Sequence, residues 1–564
     1  MTKKDYSTWS KDELIKEIVQ LENRKKYGLV WEDKLEDVVE KCKIELPVLE
    51  EVQGKEILKD RNSPFNLIIE GDNYHALSVL NYTHNGKIDV IYIDPPFNTG
   101  ARDWKYNNDY VDINDQWRHS KWISFMRNRL TLTKHLLSKD GVMIIAIDDN
   151  ELCSLGLLID EIFPNKDRNT VVIVSNPHGV SRSGFSRCHE YALFLLNPGR
   201  IVNKKPVPED SREINLRRSG NNSLREDSPT MFYPIFVDKK TNKIIGAGEV
   251  PKTHYHPPKR VIGKGELYEV WPIDNKGEEK NWYYSRKRVI ENGNAELFCK
   301  WVKNQLHVYF HHSNNSEQTY KTVWVGSEYD AGAYGATIVK NIIGKDFPFP
   351  KSLYTVSDCL KAVISAKDAT ILDFFAGSGT TGQAVLELNK ADNGSRKFIL
   401  CTNNEDNKDE GIKIADDICY PRIEKVINGY KGILDGKQYE GFNSNLKYFR
   451  TSFVAADPND KNKTILTNKA TEMLCIKEDT FDEVDTNEKY KIFRNKNRYT
   501  GIVFDSQIIA DFKKVIEKIP GNFSVYIFSL GGDMFEEEFE DIKQKVTLSP
   551  IPEAILRVYR RIFK

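Results

Sequence analysis

The chain has 564 residues and carries 82 Lys and Arg against 82 Asp and Glu, so its formal net charge is zero. At ~100–200 residues per domain, this length predicts several compact units. A hydrophobic content of 40% indicates an ordinary globular protein with sizeable cores. The even charge excludes a uniformly basic protein that coats nucleic acid. It leaves room for a locally basic groove, because charge acts over about a Debye length.

The cysteines are scattered along the chain, with no CxxC pair and no tight Cys/His cluster. This pattern is typical neither of a disulfide scaffold nor of a structural zinc site, so we expect reduced thiols and no metal. The first residues lack the apolar region of a signal peptide, and no stretch approaches ~20 uncharged apolar residues. We therefore expect a cytoplasmic protein without a membrane partner.

The first half of the chain alternates strands with helices. The predicted elements, in chain order, are an amphipathic helix at 10–26, strands at 66–70 and 88–93, a helix at 116–138 and a strand at 142–147. Near-continuous apolar strands separated by helices are typical of a buried parallel sheet. In such sheets ligands bind beyond the carboxyl ends of the strands, and each of these strands is followed by acidic or Pro/Gly-rich residues.

This alternation stops over residues 200–335, which are rich in Asn, Gly, Lys, Arg and aromatic residues and show strand-like pieces but no helical period. It resumes with a strand at 370–375, a helix at 383–388 and a strand at 397–401. One sheet built from two halves around an insert is therefore predicted. A polar stretch at 455–463 predicts a linker to a separate C-terminal domain. The predicted segments are an N-terminal helical segment at 1–60, two sheet halves at 61–200 and 336–450, an insert at 201–335 and a C-terminal domain at 465–564.

The run Asp94-Pro95-Pro96-Phe97 directly follows the strand at 88–93. Two consecutive prolines remove two backbone donors and fix φ at both positions. Their carbonyls are then left as acceptors beside the Asp94 carboxylate, and Phe97 adds a flat face on which a ring can stack. The run is suited to bind a ring that carries an NH2 group. The alternative is a rigid loop in which the acid has no function.

A glycine-rich loop, Ala376-Gly377-Ser378-Gly379-Thr380-Thr381-Gly382, follows the strand at 370–375. Two of its glycines have the spacing of a phosphate loop, but Gln383 stands where that loop needs a Lys, so a nucleoside triphosphate site lacks its main cation. Asp373, at the strand end with no basic neighbour in the sequence, suits a ligand with a positive amino group. A merely structural turn is the alternative.

The Asp94 run followed by Asn98-Thr99-Gly100, with Asp373-Phe374-Phe375 and the glycine loop much later, resembles the beta-class amino-methyltransferases of DNA. In that family the catalytic motif comes first, a target-recognition domain is inserted, and the cofactor motif comes last, as here. Residues 70–77, 118–126 and 398–405 closely resemble the modification (Mod) subunits of type III restriction systems. The resemblance, over roughly residues 25–450, implies an α/β fold. The implied fold is a Rossmann-like S-adenosylmethionine-dependent methyltransferase sheet that is circularly permuted, with an inserted target-recognition domain and a small α/β C-terminal domain.

The resemblance also implies roles for the matching residues. Asp94 and the Pro95 carbonyl accept hydrogen bonds from the target amine, Pro96 belongs to the same catalytic motif, and Phe97 stacks on the target base. The implied S-adenosylmethionine-binding residues are Asp72, Asn73, Lys351, Asp373, Phe375, Ala376, Gly377, Gly379 and Thr380. Among them Asp373 meets the ammonium, Lys351 lies near the carboxylate, and Asp72 and Asn73 meet the adenine. Thr402-Asn403-Asn404 stands where the family often has an acid for the ribose, and Glu405 comes later, so the ribose contact stays unassigned.

An Asp at the start of the motif favours the N6 amine of a flipped-out adenine in double-stranded DNA over the N4 amine of cytosine. N4-cytosine methylation and a non-catalytic DNA-binding specificity subunit are the alternatives, with RNA as a third possible substrate. Residues 201–330 carry 21 Lys and Arg against 17 Asp and Glu, a net charge of only +4 (21 − 17). We therefore expect help in DNA binding from a homodimer or a partner, which in a prokaryotic restriction-modification system is the restriction subunit.

Overall fold

The computed structural model describes residues 9–22, 31–61, 63–107, 109–179, 184–206, 212–312, 317–404 and 411–563. The chain divides into two compact units. Unit one comprises Met1–Asn203 and Tyr320–Lys564, and unit two comprises Lys204–Thr319. Unit two falls within the insert predicted at 201–335 and is shorter than it at both ends.

The first part of unit one alternates strands and helices. Its strands are β1 (Glu45–Glu51), β2 (Phe65–Glu70), β3 (Ile88–Ile93), β4 (Ala101–Tyr106), β5 (Asp109–Asp112), β6 (Leu137–Ile147), β7 (Asp167–Ile173) and β8 (Glu190–Leu196). Its helices are α1 (Lys11–Glu22), α2 (Asp37–Ile44), α3 (Asn73–Thr83), α4 (Arg118–Thr133) and α5 (Leu152–Ile162).

Unit two is mainly β-structure. Its elements are β9 (Lys204–Pro206), β10 (Arg212–Asn215), β11 (Ile235–Asp238), β12 (Ile244–Ala247), β13 (Val261–Lys264), β14 (Leu267–Val270), α6 (Arg286–Glu296), β15 (Leu297–Val302), β16 (Gln305–His312) and β17 (Glu317–Thr319). They form a four-stranded sheet in the order β12-β11-β14-β13, a three-stranded sheet in the order β10-β16-β15 and a two-stranded ribbon of β17 and β9.

The second part of unit one completes the main sheet and adds a smaller one. Its strands are β18 (Val323–Trp324), β19 (Thr370–Asp373), β20 (Lys397–Thr402), β21 (Tyr430–Lys431), β22 (Gln438–Tyr439), β23 (Asn445–Ala455), β24 (Asp482–Thr486), β25 (Tyr490–Asn495), β26 (Arg498–Val503), β27 (Asn522–Phe528) and β28 (Val546–Ile551). Its helices are α7 (Thr337–Ile343), α8 (Leu353–Val363), α9 (Thr380–Asp392), α10 (Tyr420–Asn428), α11 (Asp460–Asn468), α12 (Thr471–Glu478), α13 (Ile509–Lys518) and α14 (Glu553–Ile562), with π-helical turns at Gly332–Ala336 and Ile414–Cys419.

Ten strands of unit one form one sheet in the order β1-β23-β2-β20-β19-β3-β6-β8-β7-β18. The six strands from β23 to β6 run parallel to one another, β1 is antiparallel at one side, and β8 is antiparallel to both β6 and β7. Alternate residues of each central strand enter opposite cores, as Ile91 and Val90 do in β3. The sheet is therefore buried on both faces, which explains why its strands are apolar throughout.

The two halves of the sheet meet between β3 and β19, where the Thr370 amide donates a hydrogen bond of 2.9 Å to Asp89 across 281 positions of sequence. From β3 the chain passes through α4 to β6 on one side, and from β19 it passes through α9 to β20 on the other. Adjacent strands whose connections leave in opposite directions create a crevice at their carboxyl ends, where α/β sheets bind ligands.

Several predicted boundaries in the α/β parts are wrong. The helix predicted at 116–138 ends at Thr133, and the strand predicted at 142–147 begins at Leu137. Only the last seven residues of that strand are buried, so the apolar run in the sequence marked only the buried part of the strand. The helix predicted at 383–388 spans Thr380–Asp392, and the strand predicted at 370–375 ends at Asp373.

The insert contains the helix α6, although no helical period was found there. Only Val289 and Gly293 of this helix are buried, and these two positions are too few to produce a periodic apolar pattern. Ser285 caps it by accepting a hydrogen bond from the Arg288 amide at 3.4 Å.

The chain termini are integrated into unit one more closely than predicted. The N-terminal segment is not only helical, because β1 pairs with β23 along the edge of the main sheet. The stretch predicted as a linker at 455–463 contains the end of β23 and the start of α11. The C-terminal part has its own five-stranded sheet, β24 to β28, yet Leu474 and Leu556 enter the same core as Leu77 of α3. It is therefore not a separate compact unit.

Candidate active site

The carboxyl ends of β2, β20, β19, β3 and β6 lie side by side at one edge of the main sheet. All the predicted site residues except Lys351 come at or just after the ends of β2, β3 and β19, and Lys351 lies just before α8. Asn73 donates to the Phe374 carbonyl at 3.0 Å and so links the end of β2 to the end of β19. The topology thus brings segments from both sheet halves to one crevice.

The loop after β3 is held rigidly by buried neighbours. The Pro96 carbonyl accepts a hydrogen bond of 2.7 Å from the Trp122 indole. Asn98 adopts a left-handed φ of 55° and donates to the buried Glu151 carboxylate at 2.6 Å. The Pro95 carbonyl, in contrast, accepts no hydrogen bond from the residues that the structure describes. The loop is therefore held in place, and the Pro95 carbonyl remains available to accept a hydrogen bond from a ligand.

Asp94 lies in a compact cluster of charges. The Lys351 ammonium is 2.9 Å from Asp94, 3.0 Å from Glu190, and 4.4 Å from the centre of the Phe97 ring. Burial raises the pKa of Asp94 to about 6; Lys351 opposes this rise and Glu190 adds to it. The pKa of Lys351 is also raised, because the two carboxylates outweigh its own burial. Asp94 and Phe97 therefore share one ammonium group in this structure.

Glu190 is a site residue that sequence reasoning missed. It is the first residue of β8. Because β8 runs antiparallel to β6, the amino end of β8 lies at the edge of the sheet where the parallel strands have their carboxyl ends. Glu190 is only 9% exposed. The sequence signal that could have identified it is an acid directly before the apolar run at 191–196.

Asp373 is a buried carboxylate with no cationic partner among the described residues. The Phe375 amide donates to one of its oxygens at 3.0 Å and the Thr381 hydroxyl to the other at 2.6 Å. Burial raises the pKa of Asp373 to about 7, these two hydrogen bonds lower it, and the nearby Asp94 charge raises it further. No Lys, Arg or His of the described part of the chain contributes to this pKa. The side chain is thus suited to a cation supplied by a ligand.

The glycine loop turns tightly from β19 into α9. Gly377 and Gly379 have φ values of +49° and +80°, a region in which a side chain would be strained. The fully buried Arg422 of α10 holds this loop by donating to the Ser378 hydroxyl at 2.9 Å and the Thr380 hydroxyl at 2.8 Å. Arg422 also donates to Gln383 at 3.0 Å, so Gln383 helps to support the loop from inside the protein.

A second buried arginine organises the end of β2. Arg129 of α4 lies 2.7 Å from Glu36 and 3.3 Å from Asp72, and it also donates to the Asn73 side chain. Asp72 caps α3 by accepting from the Tyr74 amide at 2.7 Å. The positions of Asp72 and Asn73 therefore depend on a residue of α4 and on one of the N-terminal segment, neither of which the sequence singled out.

The end of β20 adjoins two acids that the sequence did not single out. Asn404 donates to Glu70 at 2.8 Å and to Asp416 at 2.9 Å, and Arg450 donates to both oxygens of Glu70. Glu405 lies outside the described residues. Among the residues that are described, no group of three or more His, Cys, Asp and Glu side chains could hold a metal ion. None of the described helices is both long enough and apolar enough to cross a membrane.

The comparison with known proteins covers both halves of this site. The sequence profile of the DNA methylase family matches residues 88–450, which include the Asp94 run and the glycine loop. The chain is 28% identical over 395 residues to the type III restriction-modification enzyme EcoPI Mod subunit of Escherichia phage P1, covering 62% of this chain and 58% of that subunit. It is 28% identical over 420 residues to the StyLTI Mod subunit of Salmonella typhimurium, covering 67% and 59%. The chain thus spans about three fifths of these two Mod subunits.

A relative of which the chain covers a larger share is the type II methyltransferase M.KpnI of Klebsiella pneumoniae. It is 32% identical over 365 residues, covering 62% of this chain and 82% of that protein. Among solved structures, the PvuII DNA methyltransferase (cytosine-N4-specific) shows 13% identity and a TM-score of 0.31, covering 65% of this chain and 95% of that one. The profile match spans well over half of the chain, and the chain belongs to the DNA methylase family.

Proposed function

We propose that the chain transfers a methyl group from S-adenosylmethionine to the N6 amine of an adenine in double-stranded DNA, as the modification component of a restriction-modification system. The observation that carries this proposal is the meeting of the Asp94 loop and the Asp373 glycine loop at adjacent strand ends. A target amine and a methyl donor must be held side by side, and this crevice offers one acceptor cluster for each.

The residues around the glycine loop fit the proposed cofactor. Asp373 is a buried carboxylate that has no cation beside it in the described part of the chain, and the methionine part of the cofactor carries an ammonium. The positive φ values of Gly377 and Gly379 let the backbone come close to a ligand without a side chain in the way. We assign the remaining cofactor contacts to Phe375, Ala376 and Thr380 of the same loop, and to Asp72 and Asn73 at the end of β2.

The residues around Asp94 fit the acceptor side of the reaction. When bound, the cofactor supplies an electrophilic methyl group on a sulfonium. Asp94 and the open Pro95 carbonyl accept hydrogen bonds from the target amine, which orients its lone pair and offsets the positive charge that grows on nitrogen. Pro96, whose carbonyl is bonded to Trp122, keeps this loop in place. Phe97 provides a face on which the flipped-out base stacks.

Lys351 has a place on the target side of the crevice. The resemblance implied that it lies near the cofactor carboxylate, whereas its ammonium contacts Asp94, Glu190 and the Phe97 ring here. We propose that Lys351 balances the two carboxylates while no base is present, and that it moves aside when the target amine takes its place on Asp94.

The partner subunit, the oligomeric state and the alternative target base are the remaining parts of the proposal. Four curated relatives of this chain are named as Mod subunits of type III restriction-modification enzymes, one of them as probable, which supports a restriction subunit as a partner. We also propose a homodimer, because the insert carries little net positive charge. N4-cytosine methylation is the second candidate, because the same acceptor pair can receive a cytosine amine.

The test is transfer of a radiolabelled methyl group from S-adenosylmethionine to unmethylated bacterial DNA by the purified full chain. Label in duplex DNA, and none in RNA of the same sequence, supports the proposal. Protein that binds both cofactor and DNA but transfers no label contradicts it and favours a non-catalytic specificity subunit.

A further inference from the structure

We propose that Phe349 contacts the target base and forms, together with Phe97, a pair of aromatic walls that holds the base in the crevice. The inference rests on the proposed function, because it takes the DNA base from there and assigns a further residue that positions it. Phe349 lies in the segment 347–352, which leads into α8 and contains Lys351.

This segment runs from the glycine loop to the charge cluster around Asp94. A Cβ added to Gly377 would lie 3.5 Å from the Phe347 ring, so this ring lies beside the glycine loop. Four positions later, the Lys351 ammonium is 2.9 Å from Asp94. Phe349 is midway between the two, and at ~3.5 Å per residue its backbone lies at most about 7 Å from that of Phe347 and that of Lys351. Its side chain therefore begins between the cofactor side and the target side of the crevice.

The Phe349 side chain is left in solvent. It is 88% exposed, whereas Phe347 is half-buried and Pro350 and Lys351 are buried. Single exposed apolar side chains are common on protein surfaces, so exposure alone does not carry the inference.

The backbone of Phe349 supplies the second observation. Its φ is 52°, in the left-handed region that Gly and Asn adopt readily and a bulky side chain does not. Pro348 and Pro350 flank it, and each proline fixes its own φ. Strained residues of this kind concentrate at active sites and ligand clamps. An Asn would make the same turn with less strain, so the aromatic ring is the feature that requires an explanation.

Contacts on the far side of Phe349 hold the segment in this conformation. A Cβ added to Gly335 would lie 2.4 Å from the Pro350 carbonyl oxygen, so two backbones pack directly against each other there. The Ser352 hydroxyl donates to the Glu328 carbonyl at 2.6 Å. The Phe349 ring is thus presented from a fixed backbone, which lowers the entropy cost of binding a ligand.

A planar base is the group that suits this position. The cofactor adenine is assigned to the end of β2, which is three strands from β3 in the sheet. At ~4.8 Å per strand this separation is about 14 Å, and the methionine part of the cofactor has no ring. The target base is therefore the aromatic group that comes to Asp94, and bases of every kind stack on aromatic side chains.

Phe97 can cover only one face of that base. In the free protein the Lys351 ammonium lies over the Phe97 ring, 4.4 Å from its centre. When Lys351 moves aside as proposed, the base takes its place on Phe97 and turns its other face away from that ring. Phe349, two positions from Lys351, is placed to cover this second face. Holding both faces fixes the direction of the amine lone pair toward the methyl donor.

The experiment uses Phe349→Asn and Phe349→Tyr in the full chain, with Val484→Ala as the control. Asn tolerates a positive φ, so Phe349→Asn removes the ring and relieves the strain together, whereas Tyr keeps the ring. Val484 is 41% exposed and lies on β24 of the C-terminal sheet.

Methyl transfer is measured on a duplex that the wild type methylates and on the same duplex with an abasic site opposite the target base. The second duplex removes the cost of breaking the base pair, so it separates the holding of a flipped base from the opening of the pair. The dissociation constant of the cofactor and the midpoint of thermal unfolding are measured in parallel.

We expect Phe349→Asn to lower kcat/KM for DNA about tenfold or more on both duplexes. Phe349→Tyr should stay close to the wild type, because a phenol stacks as a phenyl ring does. The cofactor should bind both variants as it binds the wild type. The unfolding midpoint of Phe349→Asn should be no lower than that of the wild type, because the strain is relieved. Val484→Ala should match the wild type in each measurement.

Three results overturn the inference and leave the proposed function standing, because the wild type still methylates DNA. They are an unchanged kcat/KM in Phe349→Asn, a loss that disappears on the duplex with the abasic site, and a loss of cofactor affinity of the same size. Wild type that transfers no methyl group to either duplex overturns the proposed function and this inference together. Phe349→Leu, which keeps apolar bulk without the ring, decides the matter if Phe349→Asn does not fold.

Discussion

Lys351 and Asp94 form an ion pair of 2.9 Å at the centre of the crevice, although they come from different halves of the sheet. Glu190 shares the same ammonium at 3.0 Å. The charge state of Asp94, the proposed acceptor for the target amine, is thus set by two residues of opposite sign. Each of them can be removed separately.

The pH dependence of methyl transfer tests this cluster. Burial raises the pKa of Asp94 to about 6. Because the ionised carboxylate is the better acceptor, kcat/KM for DNA, which reports the protein before the target base binds, should fall as the pH drops below about 6. Lys351→Met removes the charge that lowers this pKa, so the acid limb should move to higher pH. Glu190→Gln removes a charge that raises it, so the limb should move to lower pH.

The control for this experiment is Glu161→Gln, because Glu161 is an exposed acid at the end of α5. It should leave the acid limb of kcat/KM for DNA in place at saturating cofactor. Shifts of Lys351→Met and Glu190→Gln in the same direction would contradict the proposed electrostatic roles.

Removing the Asp94 carboxylate should separate chemistry from binding. Asp94→Asn keeps the shape of the side chain but loses a charged acceptor, and we expect kcat to fall by about 10²-fold or more, as for other transition-state acceptor or donor groups. The dissociation constant of the cofactor should change little. Asp167→Asn, at an exposed position at the start of β7, is the matched control. Loss of cofactor binding in Asp94→Asn would show that Asp94 lies on the cofactor side instead.

Cofactor binding should depend on pH through Asp373. Burial raises the pKa of this carboxyl to about 7, so a large fraction is protonated near neutral pH in the free protein. An ammonium ligand pairs with the ionised form, so binding is coupled to proton release. The cofactor should bind more weakly as the pH falls below 7, by up to about tenfold per pH unit.

Isothermal titration calorimetry in buffers of different ionisation enthalpy measures both this affinity and the proton release. Asp373→Asn should bind weakly and with little pH dependence between about pH 5.5 and 7.5. An affinity of the wild type that stays constant over this range would contradict the assignment of Asp373 to the ammonium.

The buried Arg422 should be essential for the stability of the glycine loop. Arg422→Met leaves the acceptors of Ser378, Thr380 and Gln383 without their donor in a buried region. At about 1–3 kcal/mol for each buried group left unpaired, we expect the free energy of unfolding to fall by about 3 kcal/mol or more. Saturating cofactor should recover part of this loss, because it binds only the folded form.

Thermal and urea unfolding measure this effect, with Arg557→Met as the control. Arg557 is exposed on α14, and its replacement should change the free energy of unfolding by no more than about 0.5 kcal/mol. An Arg422→Met protein as stable as the control would show that the arginine does not hold the loop.

The sequence predicted the parts of the site that are local in the chain. The strand before Asp94 is an apolar run followed by two prolines, and the apolar run that contains Asp373 is followed by a glycine-rich loop, and both features can be seen within ten residues. The doubly covered parallel sheet followed from the same runs, because strands buried on both faces are apolar throughout.

The supporting residues could not be predicted because their partners are distant in sequence. Arg129 is one basic residue of a helix in which Arg118, Lys121 and Arg127 look equivalent, and only the fold places it between Glu36 and Asp72. Arg422 lies on a helix that follows the cofactor motif by some 40 positions and reaches back to it. Burial of these charges is a property of tertiary packing, which periodicity does not show.

The identity of the methylated base tests the central claim most directly. DNA from a methylation-deficient bacterium is incubated with the full chain and methyl-deuterated S-adenosylmethionine, then digested to nucleosides and analysed by mass spectrometry. The account predicts deuterated N6-methyladenosine in the deoxynucleoside pool, and none with Asp94→Asn. Deuterated N4-methylcytosine instead would contradict the choice of adenine. No deuterated nucleoside from protein that binds both ligands would contradict the proposed activity.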